Sequence, residues 1–440
     1  MDKRREIPSL KNQDSQLGSN FGPNLEFSWI YQFQGMLLLF LMVVSLTWIF
    51  SAEVRAGEFP IGPTWLNFGF SYADFYPSMI TLVDLGIQMF MFILGISLTI
   101  SFKKYSQEKN HLYAWISVGT QFFVLLWLAE LTQLDLDAFY WNDIVVLSIW
   151  LIFTISCAIF RNLKRFKSSK TGLLLGFIWS VGSVLLWFLK FDATIWILFF
   201  NHELALLAWG CLFAIVSLNL IKNPDRRIIL PVILLCVHFL LWEVIGQWDT
   251  TLFSGTLLEF YIEIPYEIIG ISIAAITATC VWEWIQLQTT SFKVGFKIRI
   301  IPLMVVTFIV HIMVDFFQPA DQRVLNTSLT LLAIAFSSLV TMCFYVLEHY
   351  YKFNVRILNS LGKNALAIFL LQIVLTFPFR FIWESEGGNA FRIAVMNWLS
   401  LPDKTHIAVN LVCLTVFLLP IIFIILSARI MEKLHIHITI

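Results

Sequence analysis

Long runs of apolar residues recur along the whole chain and are separated by short polar connections. A membrane-spanning helix needs about 20 mostly apolar residues, so each run predicts one span. The predicted spans cover residues 29–50, 79–101, 112–129, 144–160, 173–189, 204–221, 228–246, 265–284, 300–317, 325–347, 365–378 and 407–426. The pattern predicts an all-α, polytopic membrane bundle of about twelve helices, or eleven if the short run 365–378 is not a span.

Composition supports a membrane protein. Apolar residues make up 58% of the 440 residues and charged residues only 13%, with a mean hydropathy of +0.79. A soluble domain carries about 25% charged residues. The 29 basic residues balance the 29 acidic ones, which argues against a nucleic-acid partner. The six cysteines all lie in predicted spans without paired spacing, so we interpret them as buried apolar residues and expect neither a metal nor a permanently bound cofactor.

The basic residues predict the orientation of the spans. Of the 29 Lys and Arg residues, 23 fall in alternate connections or tails, and cytoplasmic loops are the ones enriched in these residues. We therefore expect both termini to be cytoplasmic and the protein to lie in the plasma membrane. The predicted organisation is a cytoplasmic tail at 1–28, a transmembrane domain at 29–428 and a second cytoplasmic tail at 429–440.

Ionisable and amide side chains interrupt the apolar spans, and nearly all lie in the predicted outer half of the membrane. Buried charges within a bilayer are costly and commonly functional. The residues are Asp84, Gln88, His202, Glu203, His238, Glu243, Glu267, His311 and Asp315. We infer a polar cavity that opens to the extracytoplasmic side, in which a histidine beside a carboxylate would suit general-base chemistry.

Several of these residues have alternative explanations. Glu203 and Glu267 lie near predicted helix N-termini, where the helix dipole stabilises a carboxylate. His311 and Asp315, four residues apart, could form a surface pair. His238 alone on an apolar face is more typical of a hydrogen-bonded core residue. Asp84 has no such explanation, since it is neither terminal nor next to a basic residue.

Two stretches resemble a known family. Residues 81–97, TLVDLGIQMFMFILGIS, are similar to the T-x-x-D-L-x-x-P-x-F-x-F-x-x-G-x-S segment of the heparan-α-glucosaminide N-acetyltransferase-like membrane proteins. Residues 361–369, LGKNALAIF, resemble the L-G-x-N-[SA]-L-x-x-Y element near the end of those proteins. The order and separation of the two stretches also agree, although together they cover fewer than thirty residues.

The resemblance implies transfer of an acetyl group from cytoplasmic acetyl-CoA to a sugar amine or hydroxyl across the membrane. Asp84 matches the acidic residue of the family, and Asn364 matches its late amide. We therefore expect Asp84 to act in catalysis, Gln88, Glu243 and Glu267 to contact the acceptor, and Lys363 and Asn364 to contact the acyl-CoA.

The chain departs from the family pattern at four points. The family opens its first span with an Asp and, three residues later, an Arg before a Gly. The corresponding stretch here, residues 31–35, is YQFQG, so both charges are missing. The family's histidine, some ten residues before the T-x-x-D motif, is absent, and Asp74 lies in that neighbourhood. Gln88 replaces the family's Pro, and Phe369 its late Tyr. Either Asp74, His202 or His311 supplies the base, or the chain is a divergent member without the activity.

The leading hypothesis is a multi-pass acyltransferase with His311 and Asp315 as an acid–base pair. Its expected partners are the lipid bilayer, acetyl-CoA or another acyl-CoA, an extracytoplasmic sugar or glycolipid acceptor and a second copy of the chain. The alternatives are a proton- or ion-coupled secondary transporter and a catalytically inactive member of the superfamily. Twelve spans with carboxylates at outer depth also suit a transporter, although the sequence contains no clear internal repeat.

Overall fold

The structure is a computed structural model that describes a set of helical segments. The described residues are 28–40, 85–132, 145, 148–150, 152–154, 156, 169–190, 203–249, 257–287, 293–318, 325–365, 368, 371–372 and 406–433. This part of the chain is 92% helical and contains no strand. The all-α class is therefore confirmed for the described residues.

We number the helices in chain order within the described part. They are α1 (28–40), α2 (Gly86–Glu108), α3 (His111–Thr132), α4 (Ser169–Lys190), α5 (Glu203–Leu220), α6 (Pro224–Arg227), α7 (Ile229–Asp249), α8 (Leu257–Leu287), α9 (Ile301–Asp315), α10 (Thr327–Tyr351), α11 (Arg356–Lys363) and α12 (His406–Lys433). A π-helix, Lys293–Ile300, runs directly into α9. Short helical stretches also occur between residues 145 and 156.

Four helical segments in the described part are long and apolar enough to cross a membrane, judged by length and composition. They are Gly86–Glu108, Pro265–Gln286, Phe296–Asp315 and Thr327–Tyr351. Each coincides with a run that the hydropathy pattern predicts as a span. These segments support a membrane protein.

The apolar segment of α8 lies at the centre of the described bundle, and the apolar segment that contains α9 lies at its periphery. In the most apolar window of Pro265–Gln286, 89% of the residues are buried, against 17% in Phe296–Asp315. The central helix packs against α2, α5, α7 and α10. The peripheral helix exposes large apolar side chains such as Phe308, Ile309 and Met313. A row of this kind suits contact with lipid rather than with water.

Contacts between helix ends give the bundle two distinct ends. Lys103, near the end of α2, pairs with Glu283, near the end of α8, so these helices run in the same direction. Arg227, just before α7, also pairs with Glu283, so α7 runs in the opposite direction. We call this the basic end. The opposite end, where Gln88 of α2 meets Thr330 at the start of α10, is the distal end.

Two interpretations of the sequence are wrong. The helix predicted to begin at Pro265 begins eight residues earlier, at Leu257, and contains Pro265 in its interior. Glu267 therefore lies ten residues into α8, beyond the reach of the N-terminal dipole. Cys236 and Cys343 are exposed rather than buried, because each lies on an outward face of its helix.

Candidate functional site

The first turn of α10 holds polar side chains from three other helices. Asn326 caps this helix, since its side-chain oxygen accepts a hydrogen bond from the amide of Leu329 at 3.0 Å. The hydroxyl residues that follow bind groups from α2, α7 and α9. We call the assembled group the distal cluster: Gln88, His238, His311, Asp315, Thr327, Ser328 and Thr330.

Ser328 joins His311 to Asp315. Its hydroxyl donates to Oδ1 of Asp315 at 2.8 Å. Nδ1 of His311 lies 2.9 Å from that hydroxyl oxygen and 3.0 Å from the Ser328 carbonyl oxygen. A carbonyl oxygen only accepts, so we assign the proton to Nδ1, which leaves Nε2 of the neutral ring as a proton acceptor. The predicted acid–base pair is therefore linked through a serine that the sequence did not indicate.

A second imidazole lies beside the first. Nδ1 of His238 is 2.8 Å from Oγ1 of Thr327, and its ring stacks on Tyr266 with the centroids 3.8 Å apart. The side chain is 0% exposed. Its Nε2 has no hydrogen-bond partner among the described residues. His238 is thus a hydrogen-bonded core residue, as one interpretation of the sequence held, and it also belongs to the distal cluster.

Gln88 links α2 to α10. Its Nε2 donates to Oγ1 of Thr330 at 2.9 Å, and the side chain is 0% exposed. Its Oε1 has no partner within the described ranges. A buried carbonyl of this kind retains an acceptor for a donor from another molecule.

The remaining predicted site residues are only partly described. Asp74, Asp84 and His202 lie outside the described residues, and of Glu203 and Glu243 only the helical backbone is described. Glu267 is 8% exposed and follows Tyr266, the residue that stacks on His238. Of the predicted residues, the structure therefore brings Gln88, His311 and Asp315 to one end of the bundle, with Glu267 adjoining them.

A separate network of charges occupies the basic end. Arg227 is 0% exposed and donates to Oε2 of Glu283 at 2.9 Å and to Oγ1 of Thr279 at 3.0 Å. It also donates to the carbonyl oxygens of Ile221 and Lys222 at 2.9 and 3.1 Å. Lys103 pairs with the other oxygen of Glu283. The sequence placed these charges at the cytoplasmic boundary but gave no sign that Arg227 is buried.

Asn364 and Lys363, the predicted acyl-CoA contacts, lie at the end of α11. Asn364 is 0% exposed, and its Nδ2 donates to the Ser360 carbonyl oxygen at 3.4 Å. Nζ of Lys363 lies 3.4 Å from Oε1 of Glu432 on α12. Both side chains thus bind within the protein, and their contact with an acyl-CoA stays a prediction.

The first described helix, where the chain departs from the family pattern, packs on the late segment that resembles the family. A Cβ on Gly35 would overlap the carbonyl oxygen of Leu358, and one on Gly362 would overlap that of Tyr31. The backbones of α1 and α11 therefore touch at two glycines. Gln32, next to Tyr31, accepts a hydrogen bond from the Val355 amide at 2.9 Å.

Gln34 stands where the family has its Arg in the first span. Its Nε2 donates to Oγ of Ser97 at 2.7 Å. Both glutamines of α1 are buried, and each joins α1 to another part of the bundle by a hydrogen bond.

A cavity of about 120 Å³ lies elsewhere, between α3, α4 and residue 154. Its polar lining comes from Tyr113, Ser117, Thr120 and Thr154. It is lined by no residue of the distal cluster, so it is not the polar cavity that the sequence predicts at the outer ends of the spans.

The fold and the distal cluster define a class: a protein that is all-α in the described residues, with helices that can span a membrane and with a histidine–serine–aspartate constellation at one end, in which His311 and Ser328 are buried. Comparison of the chain with protein-family models gives no match, and comparison with curated proteins gives none either. The resemblance therefore rests on residues 81–97 and 361–369 alone.

Proposed function

We propose that this protein is a multi-pass acyltransferase of the plasma membrane, with twelve spans and both termini cytoplasmic. It would move an acyl group, such as acetyl, from cytoplasmic acyl-CoA to an extracytoplasmic glycan or lipid-linked sugar. The observation that carries the proposal is the hydrogen-bonded series from His311 through Ser328 to Asp315. The resemblance of residues 81–97 and 361–369 to membrane acetyltransferases supplies the reaction class.

His311 serves as the general base in this proposal. As the acceptor's oxygen or nitrogen attacks the thioester carbonyl, it loses a proton to Nε2 of His311. The acyl–sulfur bond then breaks, and the thiolate of coenzyme A takes a proton back. Ser328 fixes the ring orientation through Nδ1, and Asp315 stabilises the imidazolium through the Ser328 hydroxyl. Asp84, directly before the described residues of α2, matches the family's acidic residue.

A proton- or ion-coupled transporter is the second candidate. It is favoured by His238, a buried imidazole whose Nε2 has no partner in the described part of the chain. Buried titratable groups within membrane bundles commonly serve proton relays. A transporter needs no acyl donor, so binding of acetyl-CoA would distinguish the transferase from the transporter.

Calorimetry of coenzyme A and acetyl-CoA binding to the purified protein tests the transferase. We expect saturable binding that Asn364→Ala weakens, since Asn364 matches the late amide of the family. Asp84→Asn and His311→Gln should retain binding and lose acetyl transfer. His111→Gln is the matched control, because His111 is an exposed imidazole bonded to Asn219 at the basic end. A well-folded protein that binds neither compound would overturn the proposal and leave the transporter or an inactive family member.

A further inference from the structure

One face of α10 carries a row of buried hydroxyls along most of its length. Successive positions are three, four or seven residues apart, except for one adjacent pair, which places them on one side of a helix. These residues, which we call the hydroxyl stripe, are Thr327, Thr330, Ser337, Ser338, Thr341 and Tyr345. All are buried, and α10 packs here between α2, α8 and α9.

The hydroxyls in the middle of the hydroxyl stripe bond differently from most other serine and threonine hydroxyls of the described helices, Ser272 of α8 being an exception. Serine and threonine in a helix can donate to the carbonyl oxygen about one turn earlier. Among the described residues, side chains that do so include Thr99, Thr120, Thr154, Ser180, Ser217, Thr277, Thr279 and Thr307. Ser337, Ser338 and Thr341 are 0% exposed, yet their hydroxyls have no partner among the described residues.

Buried hydroxyls that have no partner in the described part of the chain point to a bound polar molecule. Leaving such a group unpaired is unfavourable, and internal water is the usual partner of buried polar groups that protein atoms do not satisfy. A second observation points the same way. Gln88, bonded to Thr330 of the stripe, is 0% exposed, and its Oε1 also has no partner in the described ranges. The stripe thus offers water both donors and acceptors.

An imidazole lies at each end of the hydroxyl stripe. His238 bonds to Thr327 at the distal end. At the basic end, His349 stacks on Tyr345 with the ring centroids 4.0 Å apart. Nε2 of His238 and Nδ1 of His349 both have no partner within the described residues. From Thr327 to His349 the helix rises by about 33 Å, close to the thickness of a bilayer's hydrocarbon core of about 30 Å.

We propose that the hydroxyl stripe, with bound water, conducts protons between His238 and His349. A hydroxyl or a water accepts a proton on its oxygen and releases its own proton to the next oxygen. One proton therefore enters at one imidazole for each proton that leaves at the other, and no bond other than O–H or N–H changes. This activity needs no acyl donor, so it stands apart from acyl transfer.

Ile334 is the constriction of this path. Between Thr330 and Ser337 the stripe has no hydroxyl for two helical turns, which is roughly 10 Å. Ile334 lies on the same face within this interval and is 1% exposed. Water has to pass its side chain, so the size of this residue should control the rate.

Proton flux into sealed proteoliposomes tests the path. An imposed potential drives the flux, and a pH-sensitive dye inside the vesicles records it. We expect wild-type protein to conduct, Ser338→Ala/Thr341→Val to fall to the rate of protein-free vesicles, and Ile334→Ala to conduct faster than wild type. Thr99→Val/Thr277→Val is the matched control, because both hydroxyls are equally buried but donate to their own helix, and it should conduct like wild type.

Thermal unfolding of the same variants separates a hydrated stripe from a dry one. If water binds the hydroxyls, Thr341→Val removes those bonds and the melting temperature falls. If the hydroxyl is dry, the substitution removes an unpaired polar group and the melting temperature rises. A rise, a wild-type flux no greater than that of protein-free vesicles, or a stripe variant that conducts like wild type would each overturn the proposal.

Discussion

The charge network of Arg227 and Glu283 at the basic end and the distal cluster treat buried polar groups in opposite ways. At the basic end, Arg227 makes four hydrogen bonds, and the Glu283 carboxylate pairs with two cations. At the distal end, Gln88 and His238 each keep one polar atom without a partner in the described part of the chain. A network in which the charges are matched serves to hold helices together. Acceptors and imidazoles with unused bonding capacity are suited to bind another molecule.

The two networks also differ in charge: the basic end is built from ions, and the distal cluster mostly from neutral groups. The basic end brings ions of both signs together in a buried setting, which is favourable only when every ion has partners. The distal cluster relies on hydroxyls, an amide and imidazoles, with Asp315 bonded through Ser328. Substitutions at the basic end should therefore act on stability, and those at the distal end on activity.

Removal of the buried guanidinium should have the largest effect on stability. Arg227→Met leaves Oε2 of Glu283 and two backbone carbonyls without their donor, while Lys103 still pairs with Oε1. We expect a loss of up to about 3–5 kcal/mol in the free energy of unfolding. Lys103→Met is the control, because the Lys103 side chain is 38% exposed and a pair at the surface contributes about 0–1 kcal/mol. Denaturant titration in detergent measures both. Equal losses of stability in the two variants would contradict the structural role assigned to the buried Arg227.

The second-largest effect on stability should come from the close packing of α1 on α11. Gly362→Ala places a Cβ on the carbonyl oxygen of Tyr31, so α1 and α11 must separate, and we expect a loss of about 1–3 kcal/mol. Gly119→Ala is the matched helical control, since nothing lies within 4 Å of its Cβ. Thermal unfolding of the two variants gives the difference. If Gly119→Ala were the more harmful, the α1–α11 contact would not be the cause.

The distal amide should matter less for folding. Gln88→Leu removes the hydrogen bond to Thr330, which is worth about 0.5–1.5 kcal/mol, but it also removes a buried acceptor without a partner. We therefore expect a loss of at most about 1 kcal/mol, measured by the same denaturant titration. A loss as large as that of Arg227→Met would show that both ends are structural.

The smallest effect should be a dependence on pH at the contact between α11 and α12. The hydrogen bond from Ser360 lowers the pKa of Glu432 from its ordinary value of 4.5, and Lys363 and Arg429 lower it further. The ionised carboxylate thus stabilises the folded state above about pH 4.5. This contribution is lost as the pH falls from there through the lowered pKa.

Melting temperatures at pH 7 and below pH 4 measure this contribution. Glu432→Gln should be less stable than wild type at pH 7, and the difference should shrink at the lower pH. An unchanged difference would mean that the charge of Glu432 does not hold α12 on α11.

Hydropathy alone predicted most of the helix positions. The run 325–347 corresponds to Thr327–Tyr351 and the run 204–221 to Glu203–Leu220, because long apolar segments leave little choice of boundary. The start of α8 was missed because proline usually marks a first helical turn. Here Pro265 lies inside the helix.

The distal cluster could be predicted only in part. Alternation of the basic residues placed Gln88, His311 and Asp315 at the same membrane depth. It could not indicate Ser328, since serine is unremarkable near the start of a helix. Nor could it indicate the burial of Arg227, which depends on Glu283, 56 residues further along the chain. Contacts of that kind arise from packing and leave no local pattern.

Acetyl transfer across the membrane of sealed vesicles tests the central claim, that the distal cluster catalyses the acyl transfer. Radiolabelled acetyl-CoA is supplied at the cytoplasmic face, and amino sugars and sugar alcohols at the other. We predict that wild-type protein labels an acceptor, and that His311→Gln lowers the rate by about 10²–10⁴-fold with little change in melting temperature. His311→Gln that transfers acetyl at the wild-type rate would contradict the account.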